Sequence, residues 1–173
     1  MKPHKPLPVK LFCGILYSDE NLLKKAEEIL IQKFGSIDYK SKSFPFEITN
    51  YYESEMGKPI YRIFLSFEKL IDPGILAQIK IECNKIEDKL AISGKRKVNL
   101  DPGYLDYDKV VLASAKYNAQ KIYLTNGIYA DPTLFYRKGK FIPSDSAFPD
   151  FMNGTYEQFF LEIRARYKRR LKV

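Results

Sequence analysis

At 173 residues, with 45% hydrophobic and 29% charged side chains, the chain has the make-up of one globular domain, which excludes a disordered tract, a collagen and a coiled coil. No run of about 18 uncharged apolar residues occurs, so no membrane-spanning helix is expected. The formal net charge of +8 is carried by one end: Arg164, Arg166, Lys168, Arg169, Arg170 and Lys172 come without an intervening acid, and setting them aside leaves 23 basic residues against 21 acidic.

Residues 1–8 hold three prolines and read as an extended arm, because proline removes a donor and disfavours helix. The apolar run Val9–Tyr17 predicts a buried central strand. Ser18 and Asp19 offer helix N-caps, and Leu22, Leu23, Ala26, Ile29, Leu30 and Phe34 then repeat at helical spacing as far as Gly35. Residues 37–48 are β-prone, with Pro45 pointing to a sheet edge. Asn50–Gly57 reads as a wide connection. Tyr61, Ile63, Leu65 and Phe67 alternate with Arg62, Phe64, Ser66 and Glu68, which predicts a strand with one face packed. Asp72-Pro73 opens a second helix with a core stripe of Ile75, Leu76, Ile79, Cys83, Ile86 and Leu90, and Gly94 is expected to close it.

A short strand over 95–100 is expected to stop at the turn Asp101-Pro102-Gly103, and Lys109–Ala113 reads as another strand. Asn126-Gly127 and Lys138-Gly139 mark hairpins. Thr155 and Gln158 suggest a capping box for a C-terminal helix lined by Tyr156, Phe159, Phe160, Ile163 and Tyr167. The order predicts a single α+β domain over 1–173, with a ferredoxin-like βαββαβ core, an added β-meander and a basic C-terminal helix over 154–173.

The chemistry open to this chain is restricted. Its one histidine, His4, lies in the proline-rich arm, so a Ser-His-Asp triad is unsupported. Cys13 and Cys83 have neither a CxxC spacing nor a nearby histidine; they read as small buried hydrophobes and suit a reducing, cytoplasmic setting. Neither a Walker A loop nor a G-x-G-x-x-G turn occurs. What remains is polar groups at strand ends and turns. Lys97, Asn99 and Asp101 alternate and so share a strand face, with Arg96 on the other, and the following Pro-Gly turn can aim the Asp101 carboxylate into a cleft. Glu53 and Glu55 supply acids suited to proton transfer or to a hard cation such as Mg²⁺. Lys116 follows an apolar strand and can meet an anion. Asp131-Pro132 reads as a turn, with Thr133 after it. The 13 tyrosines and 12 phenylalanines read as core rather than as a nucleic-acid platform.

The segments Tyr51-Tyr52-Glu53-x-Glu55-Met56-Gly57, Asn84-x-x-Glu87, Arg96-x-x-Asn99-x-Asp101-Pro102-Gly103-Tyr104, Val111-Leu112-Ala113-Ser114-x-Lys116 and Gly127-Ile128-Tyr129-Ala130-x-x-Thr133-Leu134 together resemble an uncharacterised bacterial family, a domain of unknown function. Some of its members carry the label "GTP-binding protein", which the missing Walker A loop does not support here. The family usually has glutamate where this chain has Asp131. The resemblance implies that Glu53, Arg96, Asn99, Asp101, Lys116 and Thr133 are the positions of interest. The leading expectation is a cytoplasmic protein that binds a small phosphate-bearing anion. Arg96 and Lys116 would neutralise it, Asn99 would orient it, Thr133 would contact it, and Glu53 with Asp101 would hold Mg²⁺ or act on the ligand. One alternative is an RNA- or ribosome-associated module that uses the C-terminal cations; another is an interaction scaffold or homodimer joined through an edge strand.

Overall fold

In the computed structural model, which describes residues 1–171, residues 1–8 are exposed and without regular structure. The elements that follow are β1 (Val9–Tyr17), α1 (Glu20–Phe34), β2 (Ile37–Lys40), the two-residue β3 (Phe44–Pro45), the single turn α2 (Glu53–Met56), β4 (Tyr61–Ile71), α3 (Leu76–Leu90), β5 (Val98–Leu105), β6 (Lys109–Ser114), β7 (Ile122–Thr125), β8 (Ile128–Arg137), β9 (Lys140–Pro143), the single turn α4 (Pro149–Met152) and α5 (Glu157–Leu171). The result is a mixed α+β architecture on one large sheet, ordered β2-β4-β1-β5-β6-β8-β7, with β3 on β4 and β9 on β8. Every pairing is antiparallel.

The apolar run at the start of the chain becomes the central strand, buried at all nine positions between β4 and β5. Asp19 caps α1 by accepting hydrogen bonds from the backbone N–H groups of Asn21 and Leu22. One face of the sheet is covered by α1 and α3: Leu11, Cys13 and Ile15 of β1 meet Leu23, Ala26 and Leu30 of the first helix and Ile79, Cys83 and Ile86 of the second. Both thiols are buried and free.

The other face is covered too, and here the expected one-sided β4 is corrected. Arg62, Phe64 and Ser66 are as buried as the residues they alternate with: α5 lies across Phe64, Arg62 meets Asp150 of α4, and Ser66 donates to Asp38 of β2. Phe64 is fully buried, stacked at 5.0 Å on Phe159 and edge-on to Phe160 and Tyr156. The C-terminal helix is therefore a wall of the core, held by Phe159, Phe160, Ile163 and Tyr167, and the Tyr167 hydroxyl donates to the Pro8 carbonyl at 2.9 Å. The expected capping box does not form: Thr155 bonds to Asn153 instead. Of the six C-terminal cations, Lys172 lies outside the described residues.

The strands after β5 do not form a simple meander. β8 is one continuous strand; β6 pairs along one edge, and β7 and β9 share the other. The hairpin turns are as expected: Asn126 and Gly127 both have positive φ, as do Lys138 and Gly139. The expected turn at Asp131-Pro132 is absent, since both residues lie inside β8. α3 stops at Leu90, ahead of Gly94, which sits in the following turn.

Asp101-Pro102-Gly103 is likewise no turn. It lies within β5, with Asp101 opposite Gly14 and Pro102 opposite Cys13 of β1. Its effect falls on the sheet. In an extended strand, the N–H and C=O of one residue point to the same side, and the side alternates along the chain. The backbone of Leu100 points away from β1, toward side chains of α3, so the backbone of Pro102 does the same. Proline has no N–H to offer β6, and pairing between β5 and β6 is confined to residues 103–105 and 110–112. Beyond that point the two strands part. Gly103, the last paired residue, has no room for a side chain: an added Cβ would lie 2.6 Å from both Phe12 Cζ and the Val111 carbonyl oxygen. Gly103→Ala is expected to cost about 1–3 kcal/mol in urea unfolding, the usual penalty of overpacking. A change near zero would mean that the two strands separate freely here.

Candidate functional site

The parting of β5 from β6 opens a cavity of about 770 Å³. Its floor is a chain of ion pairs. Arg62 of β4 reaches across β1 to Asp101 of β5 (Nη1–Oδ2 3.0 Å) and also to Asp150 of α4 (Nη2–Oδ2 3.3 Å). The crossing is possible because β1 carries Gly14 at this point: an added Cβ would lie 3.2 Å from Arg62 Nη1 and 2.9 Å from Phe64 Cε1. Asn99 donates to the same Asp101 oxygen at 2.9 Å and accepts from Arg96 Nη1 at 3.0 Å.

α3 seals the outer edge of β5 that β6 leaves unpaired. Lys80 Nζ donates to the Leu100 carbonyl at 2.7 Å, and Glu87 Oε1 accepts from the Leu100 N–H at 2.6 Å. Two side chains thus replace a missing strand and satisfy a buried peptide group. Lys80 also lies 3.7 Å from Asp101, and Glu87 lies 3.2 Å from Arg96. Arg96 in turn grips Glu55 of α2 with two parallel bonds of 2.8 Å, from Nε and Nη2. This fork pins the Tyr51–Met56 segment over the cavity.

Burial and charge pull these groups in opposite directions. Burial alone raises the Asp101 carboxyl, but Lys80 and Arg62 outweigh it and hold it below the ordinary carboxylate range. Burial opposes the charge on Arg62 and Lys80, yet their carboxylate neighbours raise both pKa values. Burial prevails at Glu87, whose carboxyl is raised. Tyr52, in the wall, is pushed up to about 12, first by burial and then by the charge of Asp101.

Above this floor the walls are aromatic, from Phe46, Tyr51, Tyr52, Phe148 and Phe151, and Ser114–Lys116 forms part of the rim. Within the floor every cation already has a carboxylate partner: Arg62, Lys80 and Arg96 face Glu55, Glu87, Asp101 and Asp150. The groups left to meet a ligand include the Tyr51 and Tyr52 hydroxyls, Asn84, Asp88 and Lys116, none of which hydrogen-bonds through its side chain among the described residues. Lys116 rests on the Tyr51 ring, 4.6 Å from its centroid.

The expected site residues divide accordingly. Arg96, Asn99 and Asp101, from one segment, and Lys116, from just past the end of β6, line the same cavity. Arg96 and Asn99, placed on opposite strand faces by alternation, meet because β5 starts only at Val98. Glu53 does not join them; it pairs with Lys58 at 2.8 Å, and its neighbour Glu55 is the acid that reaches Arg96. Thr133 does not join them either: it is fully buried in β8 and donates to the Asp131 carbonyl. Asp131 is buried away from the cavity, where it accepts from Gln120 at 2.8 Å. The paired Mg²⁺ ligands Glu53 and Asp101 are therefore separated, Asp101 is already engaged by three side chains, and no cluster of three metal-ligating residues occurs among the described residues.

Arg62, Lys80, Glu87, Asn84, Asp88 and Asp150 were not among the expected site residues. For α3 a signal existed: Lys80, Asn84, Glu87 and Asp88 recur at helical spacing and form a polar stripe beside the apolar one. Arg62 carried no such signal, because alternation places it on an apparently open strand face.

Among the described residues, no helix is long and apolar enough to cross a membrane. No curated protein matches the chain, and no solved structure does. The model of one family, described as a domain of unknown function (DUF4416), matches residues 7–167, which is nearly the whole chain, and the protein belongs to that family.

Proposed function

We propose that the cavity between β5, β6 and α3 binds a small phosphate-bearing molecule with a flat apolar body. The observation that carries this reading is the set of polar groups left unpartnered at its surface. Lys116 supplies a cation with no carboxylate attached, and Tyr52 and Asn84 add hydrogen-bond donors. Asp88 accepts from a ligand hydroxyl or amino group, and Tyr51, Tyr52 and Phe148 offer rings for the flat body. Arg96 and Asn99 act one step back: they hold Glu55 and Asp101, and through them the walls. Any Mg²⁺ would arrive with the ligand's phosphate. The strand order β2-β4-β1-β5, with α1 and α3 on one face, supports a ferredoxin-like reading of the first half. The free buried cysteines favour a reducing compartment.

Isothermal titration against nucleotides, sugar phosphates and inorganic phosphate, with and without Mg²⁺, tests the proposal. Lys116→Ala is expected to weaken binding about tenfold or more, the loss of one hydrogen bond to a charged group. Glu53→Gln, which alters an acid outside the cavity, should leave it unchanged. Absence of binding across the panel, or equal affinity in Lys116→Ala, overturns the reading.

A further inference from the structure

The cations of α5 fall into two sets. Arg166 pairs with Glu162 at 2.9 Å, and Arg170 pairs with Glu68 at 3.2 Å. Arg164, Lys168 and Arg169 form no ion pair among the described residues. They line a second hollow of about 370 Å³ between β8 and α5, together with Tyr136, Leu161 and Ala165, and no acidic side chain lines it. The nearby Tyr107 is flanked by two acids: Asp106, which Lys109 occupies, and the exposed Asp108, which forms no ion pair among the described residues and does not line the hollow. The turn that follows Tyr136 adds the exposed Arg137, Lys138 and Lys140.

Arg164 is held in place. Its guanidinium lies 3.4 Å from the Tyr136 ring centroid, and its Nε donates to the Tyr107 carbonyl at 3.0 Å. The two terminal nitrogens make no hydrogen bond among the described residues. A planar cation fixed in this way presents both charge and a stacking surface without first losing side-chain freedom. Lys168 stands one helical turn further on, about 6 Å along the axis, so the groove repeats its charge along one direction.

We propose that this groove binds single-stranded RNA, with phosphates on Arg164, Lys168 and Arg169 and one base stacked against the Arg164 plane. An open base is required for such stacking, which favours a single strand over a duplex. The hollow offers little apolar surface to enter a lipid layer, since Leu161 and Ala165 are half-buried. The proposal is independent of the cavity, which lies among other elements.

The test is fluorescence anisotropy with a labelled single-stranded oligouridine of about 12 nucleotides, over a series of salt concentrations. For three phosphate contacts, the logarithm of affinity is expected to fall with the logarithm of salt with a slope of about −2. The double variant Lys168→Glu, Arg169→Glu should lose at least about tenfold in affinity at low salt while its circular dichroism and melting stay those of the parent, because Arg169 is exposed, Lys168 is half-buried, and neither belongs to the core or to an ion pair among the described residues. Arg164→Lys keeps the charge and loses the plane, so it should keep the slope and lose about fivefold or more. Lys116→Ala should bind RNA like the parent. The proposal is overturned by salt-insensitive or absent binding, by full affinity in the double variant, by equal affinity for duplex RNA, or by tighter binding to phosphatidylserine vesicles than to the oligonucleotide.

Discussion

Replacing Arg62 with alanine is expected to lower folding stability by about 3–5 kcal/mol, the cost of removing one partner from a buried ion pair. The arginine side chain is 6% exposed and the Asp150 carboxylate 4%, so the substitution leaves a carboxylate in the interior with only the Tyr156 hydroxyl donating to it. Asp101 loses less, since Lys80 and Asn99 still face it and its side chain is 29% exposed toward the cavity. The loss is thus a desolvation effect centred on Asp150. Adding Asp150→Asn to Arg62→Ala should then recover a large part of it, although two native residues are gone. Urea denaturation of the single and double variants measures both quantities. A double variant no more stable than Arg62→Ala alone would show that packing of the guanidinium against Phe46 and Phe64, at 5.3 and 5.8 Å, sets the cost instead.

How much of this was legible in the sequence follows from what each element depends on. The first strand, the apolar stripes of the three long helices and the two glycine hairpins are local patterns, and local patterns survive folding, save for Ile75, which precedes α3 and is exposed. Two features depend on what covers a segment. Arg62 belongs to a strand whose alternation looks one-sided, and distant residues bury that face: Asp150 of α4 meets Arg62, and α5 covers the neighbouring Phe64. Asp101-Pro102-Gly103 has the composition of a turn, yet β1 runs alongside and keeps it extended, so the proline interrupts the sheet and not the strand. Asp131-Pro132 is likewise kept extended, by β6, where Asp131 lies opposite Leu112 and Pro132 opposite Val111. Arg96, Asn99, Asp101 and Lys116 were identifiable because they are polar groups at strand ends, and the family resemblance singled out the same positions. Which acid faces Arg96 was not, because Glu53 and Glu55 lie in one helical turn and only its orientation selects between them.

Glu87→Ala is expected to be the other costly change, again about 3–5 kcal/mol. One carboxylate here serves three partners. It accepts from the Leu100 N–H at 2.6 Å and from Arg96 at 3.2 Å, and it lies 4.0 Å from Lys80. Truncation leaves a backbone donor of β5 with neither strand nor side chain to meet it, and an unsatisfied buried donor alone costs about 1–3 kcal/mol. Glu87→Gln keeps an oxygen for that donor and removes the charge, so it should cost clearly less than alanine. The pH dependence separates the two contributions. Burial raises the Glu87 carboxyl above its unfolded value, so its titration favours the folded state as acid is added; that gain is complete below the unfolded pKa and is lost as pH rises through the folded one. The stability advantage of the parent over Glu87→Gln should therefore widen as pH falls from 7 toward the unfolded carboxyl value of about 4.3. An advantage that narrows over that range would mean that Lys80 and Arg96 govern the carboxylate, and that the edge of β5 is sealed by charge before it is sealed by a hydrogen bond.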